Sequence, residues 1–515
     1  MNKYLINSSI NQDFCIPKSY LNVDNIQWEG SNNITPYGGL VFFSNFLKVS
    51  GIFKMMIEDC PFEYKSNNSP QPENLIGTII CSIICGCKRF SHINHFRNDS
   101  AIPKLLGFEK IISEDSVRRA LKNCNQQKLD EWLTKYEQFI YKSLIKYDYI
   151  IDIDNTVKPI YGHQEGAEIG YNPSKQGRPN LNYHSYFIGA IRLVLGIDVL
   201  PGKQSSSTHG IQSLLNFLDT EPTENHPRLV RGDIGYGNDK IMSELEKRNI
   251  KYLFKLKRTT KVSNKFKELL KEQWSDCGAG WSSIETTIKL SGWEKERKVL
   301  FVRRPIEIEE PVIEKKSRGR PKKETPIQIE FDFFIDKKIN TQWEYYILIT
   351  NDLVLNRYEL TNLYRERSDC ENNFDELKNQ WGWSGFMTKD IKSTRIMARL
   401  IAIIVNLWSV FCRLANPNKH IEPVTSRPIL LYINARLTNS GRKTKIRLFS
   451  THAQASEIQK VLSKINKILN GILTKCGAVE KNTHWEEILH YAFSKWLNEN
   501  KSFFLKPGSQ LLLPF

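Results

Sequence analysis

The stretch "YDYIIDIDNT", residues 147–156, has the alternating pattern of a β-strand and carries acidic side chains within it. Isoleucine and tyrosine favour strands, and successive side chains of a strand point to opposite faces. Asp152 and Asp154 therefore share one face, while Ile151 and Ile153 share the other. The pattern predicts a strand that presents two carboxylates on one side, and it leaves open which of them has a function.

The next hundred residues alternate between strand and helix patterns. "SYFIGAIRLVLGIDVLPG" (185–202) predicts a hairpin with its turn near Gly196, and "RLVRGDIGYG" (228–237) predicts a short strand that ends in Gly-Asp. A helix, "NDKIMSELEKRN" (238–249), and another strand, "KYLFKLK" (251–257), follow. This order indicates a mixed sheet flanked by helices.

Two further alternating segments lie between this sheet and a late helix. They are "WSSIETTIKLSGWEKERKVLFVRRP" (281–305) and "IQIEFDFFIDKKINTQWEYYILIT" (327–350), and a polar loop joins them. We interpret them as a β insertion in the α/β domain.

The late helix is "YRERSDCENNFDELKNQ" (364–380), which mixes arginines with acids. At about 100° per residue, one wedge of roughly 60° contains four of its polar side chains. They are Tyr364, Arg367, Glu371 and Lys378. An apolar stripe that includes Phe374 runs beside them and predicts docking on a core. Asp375 lies close to the same face, and a solvated charged helix is an equally good interpretation of the wheel alone.

The chain as a whole is long, basic and globular. It has 515 residues, 40% hydrophobic content and a formal net charge of +17. So basic a chain most often binds nucleic acid, with an anionic membrane as the competing partner. The longest apolar runs are shorter than a bilayer span requires, so we expect buried helices and no membrane. Ten scattered cysteines and the absence of a signal-like start favour a reducing cytoplasm.

Three acids stand out from these patterns. Asp154 and Asp233 lie at the ends of two predicted strands, and Glu371 lies on the late helix. Carboxylate oxygens at one sheet edge, joined by a third from a crossing helix, can hold two hard cations. Two such ions can activate a water or 3′-hydroxyl and stabilise the leaving oxygen of phosphoryl transfer. Arg367 and Lys378 are suited to bind the phosphates that approach such a site.

The late helix resembles the Y-R-E-K signature of DDE insertion-sequence transposases. The residues with that spacing are Tyr364, Arg367, Glu371 and Lys378. "IDIDNTVKPIYGHQEGAEIGYNPSKQGRPN" (151–180) resembles the first-aspartate region of these proteins, and "VRGDIGYGN" (230–238) resembles the second. The resemblance spans about residues 30–415. It favours Asp154 over Asp152, because Asn155 and Thr156 follow, and it favours Glu371 over Asp375.

The resemblance implies an α/β fold with an RNase H-like mixed-sheet core, a β-strand insertion, and helical N- and C-terminal regions. Its catalytic and metal-binding residues would be Asp154, Asp233 and Glu371, with Mg²⁺ as the cofactor and Mn²⁺ as a substitute. Tyr364, Arg367 and Lys378 would contact DNA. The expected organisation is an N-terminal DNA-binding region, a core in two parts around the insertion, and a C-terminal assembly region. The boundaries are 1–145, 146–258, 259–352, 353–415 and 416–515.

A basic segment in the insertion, "SRGRPKK" (317–323), resembles an AT-hook core. Arg318, Arg320 and Lys322 are therefore expected to contact DNA, in a narrow A·T-rich minor groove or along the backbone. A solvated connecting loop is the alternative interpretation.

The function implied by the resemblance is cut-and-paste transposition. The partners would be double-stranded DNA, as terminal inverted repeats and as target, and a second copy of the chain in the DNA complex. The expected location is the bacterial cytoplasm, with the nucleoid. The alternatives are a domesticated or inactive transposase that only binds DNA, and a stand-alone two-metal nuclease.

Overall fold

The computed structural model describes residues 33–62, 69–173, 175–204, 209–306, 333–336, 341–383, 385–441, 443–476 and 481–500. The predicted DNA contacts of Arg318, Arg320 and Lys322 lie outside the described residues.

The N-terminal part is mostly helical. It comprises β1 (Ile34–Thr35), α1 (Leu40–Ser50), α2 (Ile52–Glu58), α3 (Pro72–Ile84), a 3₁₀ turn (Phe90–His95), α4 (Ala101–Leu106), α5 (Glu114–Asn123) and α6 (Gln126–Tyr141). α5 begins after a capping serine, since the Ser113 side chain accepts a hydrogen bond from the backbone N–H of Ser116. The Glu114 and Asp115 side chains in the first turn also favour the positive end of the helix dipole.

The core sheet begins with the predicted strand. The elements are β2 (Ile150–Pro159), β3 (Glu168–Ile169), β4 (Pro179–Ile188), β5 (Leu193–Pro201), α7 (Gln212–Thr220), β6 (Leu229–Gly232), α8 (Asp239–Lys247) and β7 (Tyr252–Lys255). β2 pairs antiparallel with β4 and parallel with β6, and β6 pairs parallel with β7. The mixed sheet and its flanking helices confirm the predicted fold class.

The hairpin between β4 and β5 turns earlier than predicted. Gly196 lies inside β5, opposite Tyr186, and the turn is the 3₁₀ segment Gly189–Ile191 followed by Arg192 in the left-handed region at φ 52°. A side chain at Gly189 would lie 2.0 Å from the Asp152 carboxylate, so the turn needs a glycine at that position. The prediction at Gly196 was wrong because glycine also occurs inside strands, here beside a register shift between Tyr186 and Phe187.

The β-rich segment extends the same sheet. It contains α9 (Thr260–Leu269), β8 (Ser275–Asp276), β9 (Ser282–Ile288), β10 (Arg297–Ile306), β11 (Phe333–Asp336) and β12 (Thr341–Thr350). β12 pairs antiparallel with β7 through Leu348–Thr350, and β10, β9 and β8 continue outward from it. The strands of the core and of this segment therefore form one continuous sheet.

Two helices, rather than one, cover the predicted late helix. They are α10 (Arg357–Arg365) and α11 (Ser368–Asn379), and α12 (Ile391–Ala415) follows them. α12 is long and apolar enough to cross a membrane by length and composition, but 89% of its most apolar window is buried inside the protein. Its Asn406 side chain bonds to both backbone groups of Val194 in β5, so α12 is the core helix behind the sheet.

The C-terminal part packs against the N-terminal helices. Its elements are α13 (Pro423–Leu430), β13 (Asn434–Ser440), β14 (Lys443–Phe449), α14 (Ala455–Cys476), α15 (Lys481–Ala492) and α16 (Ser494–Asn500). Asn45 of α1 donates to Asn466 of α14 at 2.6 Å, and Phe46 packs edge-on against Trp485 of α15. The hairpin of β13 and β14, which pairs with β1, was not predicted in a region expected to be helical.

Candidate active site

Two neighbouring parallel strands bring Asp154 and Asp233 to one edge of the sheet. β2 and β6 are in register from Ile150 opposite Leu229 to Ile153 opposite Gly232, so the next two residues are Asp154 and Asp233. Adjacent strands lie about 4.8 Å apart, and residues two apart on a strand share a face. The two carboxylates therefore start from neighbouring backbone positions at the same edge.

Asp233 is held by the turn that ends β6. Its Oδ1 atom accepts the backbone N–H of Gly235 at 2.9 Å, and its carbonyl oxygen accepts the N–H of Tyr236 at 3.2 Å. Such a turn is what an aspartate at a strand end forms with its own backbone. The carboxylate is partly buried and fixed in position.

Asp154 is 9% exposed and has a cationic neighbour. Its Oδ1 atom accepts the N–H of Asn155 at 2.7 Å, and its Oδ2 atom lies 2.8 Å from Nη2 of Arg367. Arg367 is itself only 7% exposed. The predicted residue of the first strand and a predicted residue of the late helix are therefore in direct contact.

The break between α10 and α11 results from Arg231. In a continuous helix the Leu363 carbonyl would accept the N–H of Arg367, four residues later. Instead Nη1 of Arg231 donates to the Leu363 carbonyl, and the N–H of Arg367 bonds to Tyr364 at 3.1 Å. The single helix predicted over 364–380 was wrong, because an arginine from β6 takes one of its carbonyls.

Asp152, the competing carboxylate on the same strand face, is fully engaged. Its two oxygens accept Nε and Nη2 of Arg231 at 2.7 and 2.8 Å, and the residue is 1% exposed. Bidentate pairing of this kind is the strongest form of arginine–carboxylate contact. To bind a metal ion, the Asp152 carboxylate would have to give up its hydrogen bonds to Arg231. Its geometry is therefore that of a structural residue.

The acids of α11 differ in their surroundings. Glu371 lies within α11, and its side chain is outside what the structure describes. Asp375 is exposed and accepts the Asn379 side chain at 2.5 Å. Glu376 is 4% exposed and bonds to Trp381 at 3.0 Å and to His420 at 2.7 Å. Glu376 therefore ties α11 to the segment before α13.

Lys378 and Tyr364, the other two signature residues, are in different environments. Burial lowers the pKa of Lys378, and the charges of Asp375 and Asp154 oppose that shift. Tyr364 packs against Tyr346 of β12 with ring centroids 6.0 Å apart, beside a small apolar cluster. Lys378 is thus near Asp154 on β2, whereas Tyr364 joins α10 to the extended sheet.

The donor set suits a hard divalent cation. Asp154 and Asp233 offer carboxylate oxygens, which Mg²⁺ and Mn²⁺ prefer. Within the described ranges no group of three metal-type side chains is close enough to form a site, and the Glu371 side chain is not among them. Arg367 neutralises Asp154 where a cation would otherwise do so.

Two features were missed by sequence reasoning. Arg231 was not singled out, although it lies two residues before Asp233 and so shares its strand face. The second is a β-hairpin that has no acidic residue between Asn434 and Phe449, in a region expected to be helical. The exposed cations Arg436, Lys443, Lys445 and Arg447 lie on one face of it, since Arg436 is opposite Arg447.

Comparison with known proteins gives one family. The model of the transposase DDE domain matches residues 147–407. No curated protein matches the chain. Among solved structures, the cryo-EM structure of the piggyBac transposase synaptic complex with hairpin DNA is similar over 92% of this chain and 87% of that chain, with 10% sequence identity and a TM-score of 0.34.

Proposed function

We infer that the chain, which belongs to the transposase DDE domain family, binds the ends of a DNA element and cuts and joins DNA strands with divalent metal ions. That it is a DNA-cleaving transposase follows from the family. The finer assignments are ours: the reacting residues, the metal, the recognised DNA and the assembly.

The register of β2 with β6 supports this assignment most directly. It carries Asp154 and Asp233 to one sheet edge, while Asp152 is occupied by Arg231. We assign Asp154, Asp233 and Glu371 as the catalytic and metal-binding residues, with Mg²⁺ as the metal and Mn²⁺ as a substitute. DDE transposases use divalent metals, which when bound activate the attacking oxygen and stabilise the leaving one.

The protein's own groups position the DNA strand. Arg367 lies 2.8 Å from Asp154, so its guanidinium is placed to bind a DNA phosphate that lies beside that carboxylate. Lys378 approaches the same strand from α11 and adds a second cation for the phosphates. Arg231 holds Asp152 and the Leu363 carbonyl, and so fixes β2, β6 and the end of α10 against one another.

We assign the remaining parts by their charge and position. The chain is of the Y-R-E-K insertion-sequence group and bacterial, and it works in the cytoplasm at the nucleoid. It acts as a homodimer on terminal inverted repeats and target DNA. Residues 1–145 bind DNA, 259–352 form the insertion, and 416–515 serve assembly. Arg318, Arg320 and Lys322 contact DNA, and Tyr364 supports the signature helix.

The test of this function uses the catalytic carboxylates. Asp154→Asn, Asp233→Asn and Glu371→Gln each keep the size of the side chain and remove one negative charge that a hard cation requires. We expect each to lower strand cleavage and joining by at least about a thousandfold, an effect of the size seen when transition-state charge stabilisation is removed. DNA carrying both flanks of the gene is the substrate, and binding to it should persist.

Asp375→Asn is the matched control, because it removes a neighbouring exposed carboxylate from the same helix. Activity should require Mg²⁺ or Mn²⁺ and be lost with Ca²⁺. A fully active Asp154→Asn enzyme would refute the assignment. Binding of end DNA without any cleavage by the wild-type chain would favour a domesticated DNA-binding protein, and cleavage without joining would favour a nuclease.

A further inference from the structure

Lys158 is a cation on the catalytic strand face that has no acidic partner among the described residues. It lies four residues after Asp154 on β2, so Asp154, Thr156 and Lys158 share one face. Its Nζ atom donates to the Trp383 carbonyl at 3.0 Å and lies 6.0 Å from the centre of the Tyr183 ring. These neutral groups do not compensate its charge.

Another lysine that is shielded from water has a carboxylate beside it that compensates its charge. Lys298 on β10 also donates to a backbone carbonyl, that of Leu355 at 3.3 Å, but its Nζ atom lies 3.1 Å from the Glu285 carboxylate. A lysine removed from water without a counter-ion costs stability. The cost at Lys158 therefore calls for a function, or for an anion supplied from outside.

The space beside Lys158 can receive such an anion. A cavity of about 250 Å³ is lined by Thr156, Val157, Lys158, Pro159, Tyr183, Lys378 and Trp383. One water occupies about 30 Å³ of liquid, so the cavity has room for a larger group. Two lysines and a threonine line it together with apolar residues, a composition that suits a charged group joined to an apolar one.

We propose that this cavity binds a backbone phosphate of the DNA strand and its sugar, a few nucleotides from the phosphate that reacts at Asp154. The proposal rests on the proposed function, since it takes Asp154 as the reacting end. Four residues of a strand span about 13 Å, and duplex DNA rises 3.4 Å per nucleotide of each strand. The phosphate would be shared by Lys158 and Lys378, and the sugar would lie against Val157 and Pro159.

The titration of Lys158 agrees with an anion that arrives from outside. Burial lowers the pKa of Lys158 to about 7, so the free protein holds this lysine charged only in part at neutral pH. The charged or titratable groups that line the cavity with it are Lys378 on α11 and Tyr183 on β4, whose pKa burial raises, while Asp154 and Asp375 act on Lys378. A bound phosphate favours the charged ammonium and raises its pKa, so DNA binding takes up a proton.

The main experiment compares phosphate removal with lysine removal. Single methylphosphonate links, which are uncharged, are placed one at a time over the nucleotides around the cleavage point in duplexes taken from the gene's flanks. We expect one position at which the wild-type protein loses about tenfold to a hundredfold in affinity, the size of one charge-assisted hydrogen bond. Lys158→Met should show the same loss on unmodified DNA and no further loss at that position.

Controls separate this site from general charge and from misfolding. Lys298→Met removes a buried lysine that already has a counter-ion and should leave the methylphosphonate profile unchanged. Lys158→Arg should keep most of the affinity. Lys158→Met should unfold at the same or a higher temperature than wild type, because methionine carries no charge into the cavity. A clear loss of stability in Lys158→Met would assign the lysine to the fold instead.

A pH series gives a second measurement. If the free lysine titrates near 7 and the bound one well above, affinity should fall about tenfold from pH 6 to pH 8 in wild type. Lys158→Met should lack that component. An unchanged profile of methylphosphonate effects in Lys158→Met overturns the subsite even when Asp154→Asn abolishes cleavage. Cleavage by Asp154→Asn overturns the proposed catalytic assignment. The methylphosphonate binding measurements still test the phosphate site in that case, because they do not depend on cleavage.

Discussion

One face of β2 carries charges of opposite sign at its two ends, a buried carboxylate and a half-buried ammonium group. At one end, Asp152 accepts two hydrogen bonds from Arg231 and is 1% exposed. At the other end, Lys158 has a carbonyl and an aromatic face, and no acid among the described residues. Asp154 lies between them and is paired with Arg367 from the helix break. Among the described residues, one face of this strand therefore passes from a charge with an opposite partner to a charge with neutral partners only.

The contrast separates charges that serve the fold from charges that serve a ligand. A buried ion pair with matched geometry needs no external counter-ion. Removing one partner leaves the other as an uncompensated buried charge. A buried cation without a counter-charge costs stability in the free protein, and only a bound anion offsets that cost. Within the described residues, Asp152 has an opposite charge as its partner and Lys158 has only neutral groups.

Apart from the catalytic variants, the largest expected effect is a loss of stability when the Asp152–Arg231 ion pair is broken. Asp152→Asn leaves Arg231 buried without its carboxylate, and we expect the free energy of unfolding to fall by about 3–5 kcal/mol. Urea denaturation followed by fluorescence measures it. The double variant Asp152→Leu/Arg231→Met removes both charges and should recover much of the loss.

Gly189→Ala tests the same pair without changing either charge. Its Cβ would lie 2.0 Å from the Asp152 carboxylate, so the carboxylate must move away. A loss of stability in the same direction is expected. If Asp152→Asn is as stable as wild type and loses cleavage instead, Asp152 is the catalytic aspartate and the contrast along β2 is misassigned.

The strands of the core could be predicted from sequence because local patterns determine them. β2, β6, α8 and β7 follow from alternating or amphipathic residues, and Asp233 from the Gly-Asp step that ends β6. The break between α10 and α11 could not be predicted, since its cause, Arg231, is 132 residues from Leu363 in the chain. The turn at Gly189 depends on Asp152 for the same reason. Contacts that are distant in sequence leave no periodic pattern.

The candidate site follows the same rule. Asp154, Asp233 and Glu371 were selected by their positions in strands and by family spacing, and their roles stay predictions. The strand pattern alone could not separate Asp152 from Asp154, because both share a face, and the pairing of Asp152 with Arg231 is a contact between residues distant in sequence. It also could not identify Lys158, whose strand position was evident but whose neutral contacts among the described residues are a property of the folded protein.

Removing either of two cations, Arg367 beside Asp154 or Lys378 on α11, should have an intermediate effect on DNA affinity. Arg367→Ala removes the cation beside Asp154, and Lys378→Ala removes the one on α11. We expect each to weaken complexes with end DNA about tenfold to a hundredfold, the size of one charge-assisted hydrogen bond to phosphate. Gel shift in EDTA measures binding without cleavage.

Arg365→Ala is the matched control for these two variants. Its side chain bonds to the Gly278 carbonyl at 2.9 Å and to the Cys277 carbonyl at 2.6 Å, so it is already used within the protein. It should change stability more than DNA affinity. Normal DNA complexes with both Arg367→Ala and Lys378→Ala would remove these residues from the DNA-binding surface.

The smallest expected effects come from unpaired cations on the surface, where no desolvation is at stake. Lys443, Lys445 and Arg447 line the exposed face of the β13–β14 hairpin, and no ion pair among the described residues includes them. Lys445→Gln should reduce the log–log salt slope of DNA binding by about 0.9 if it contacts a phosphate. That slope change corresponds to about three- to fourfold in affinity between 50 and 200 mM salt. The same change is expected for each of Arg318→Ala and Arg320→Ala in the basic loop.

Lys247→Gln distinguishes a phosphate contact from a mere change in net charge. Lys247 is exposed like Lys445 but lies 2.7 Å from Glu244, so its charge is already paired. Its removal should leave the salt slope unchanged, although the net charge falls by the same amount. Binding isotherms at four salt concentrations give each slope. Equal slopes for Lys445→Gln, Lys247→Gln and wild type would show that the hairpin does not touch DNA. If Lys247→Gln instead changes the slope as much as Lys445→Gln does, pairing within the protein does not determine which cations contact a phosphate.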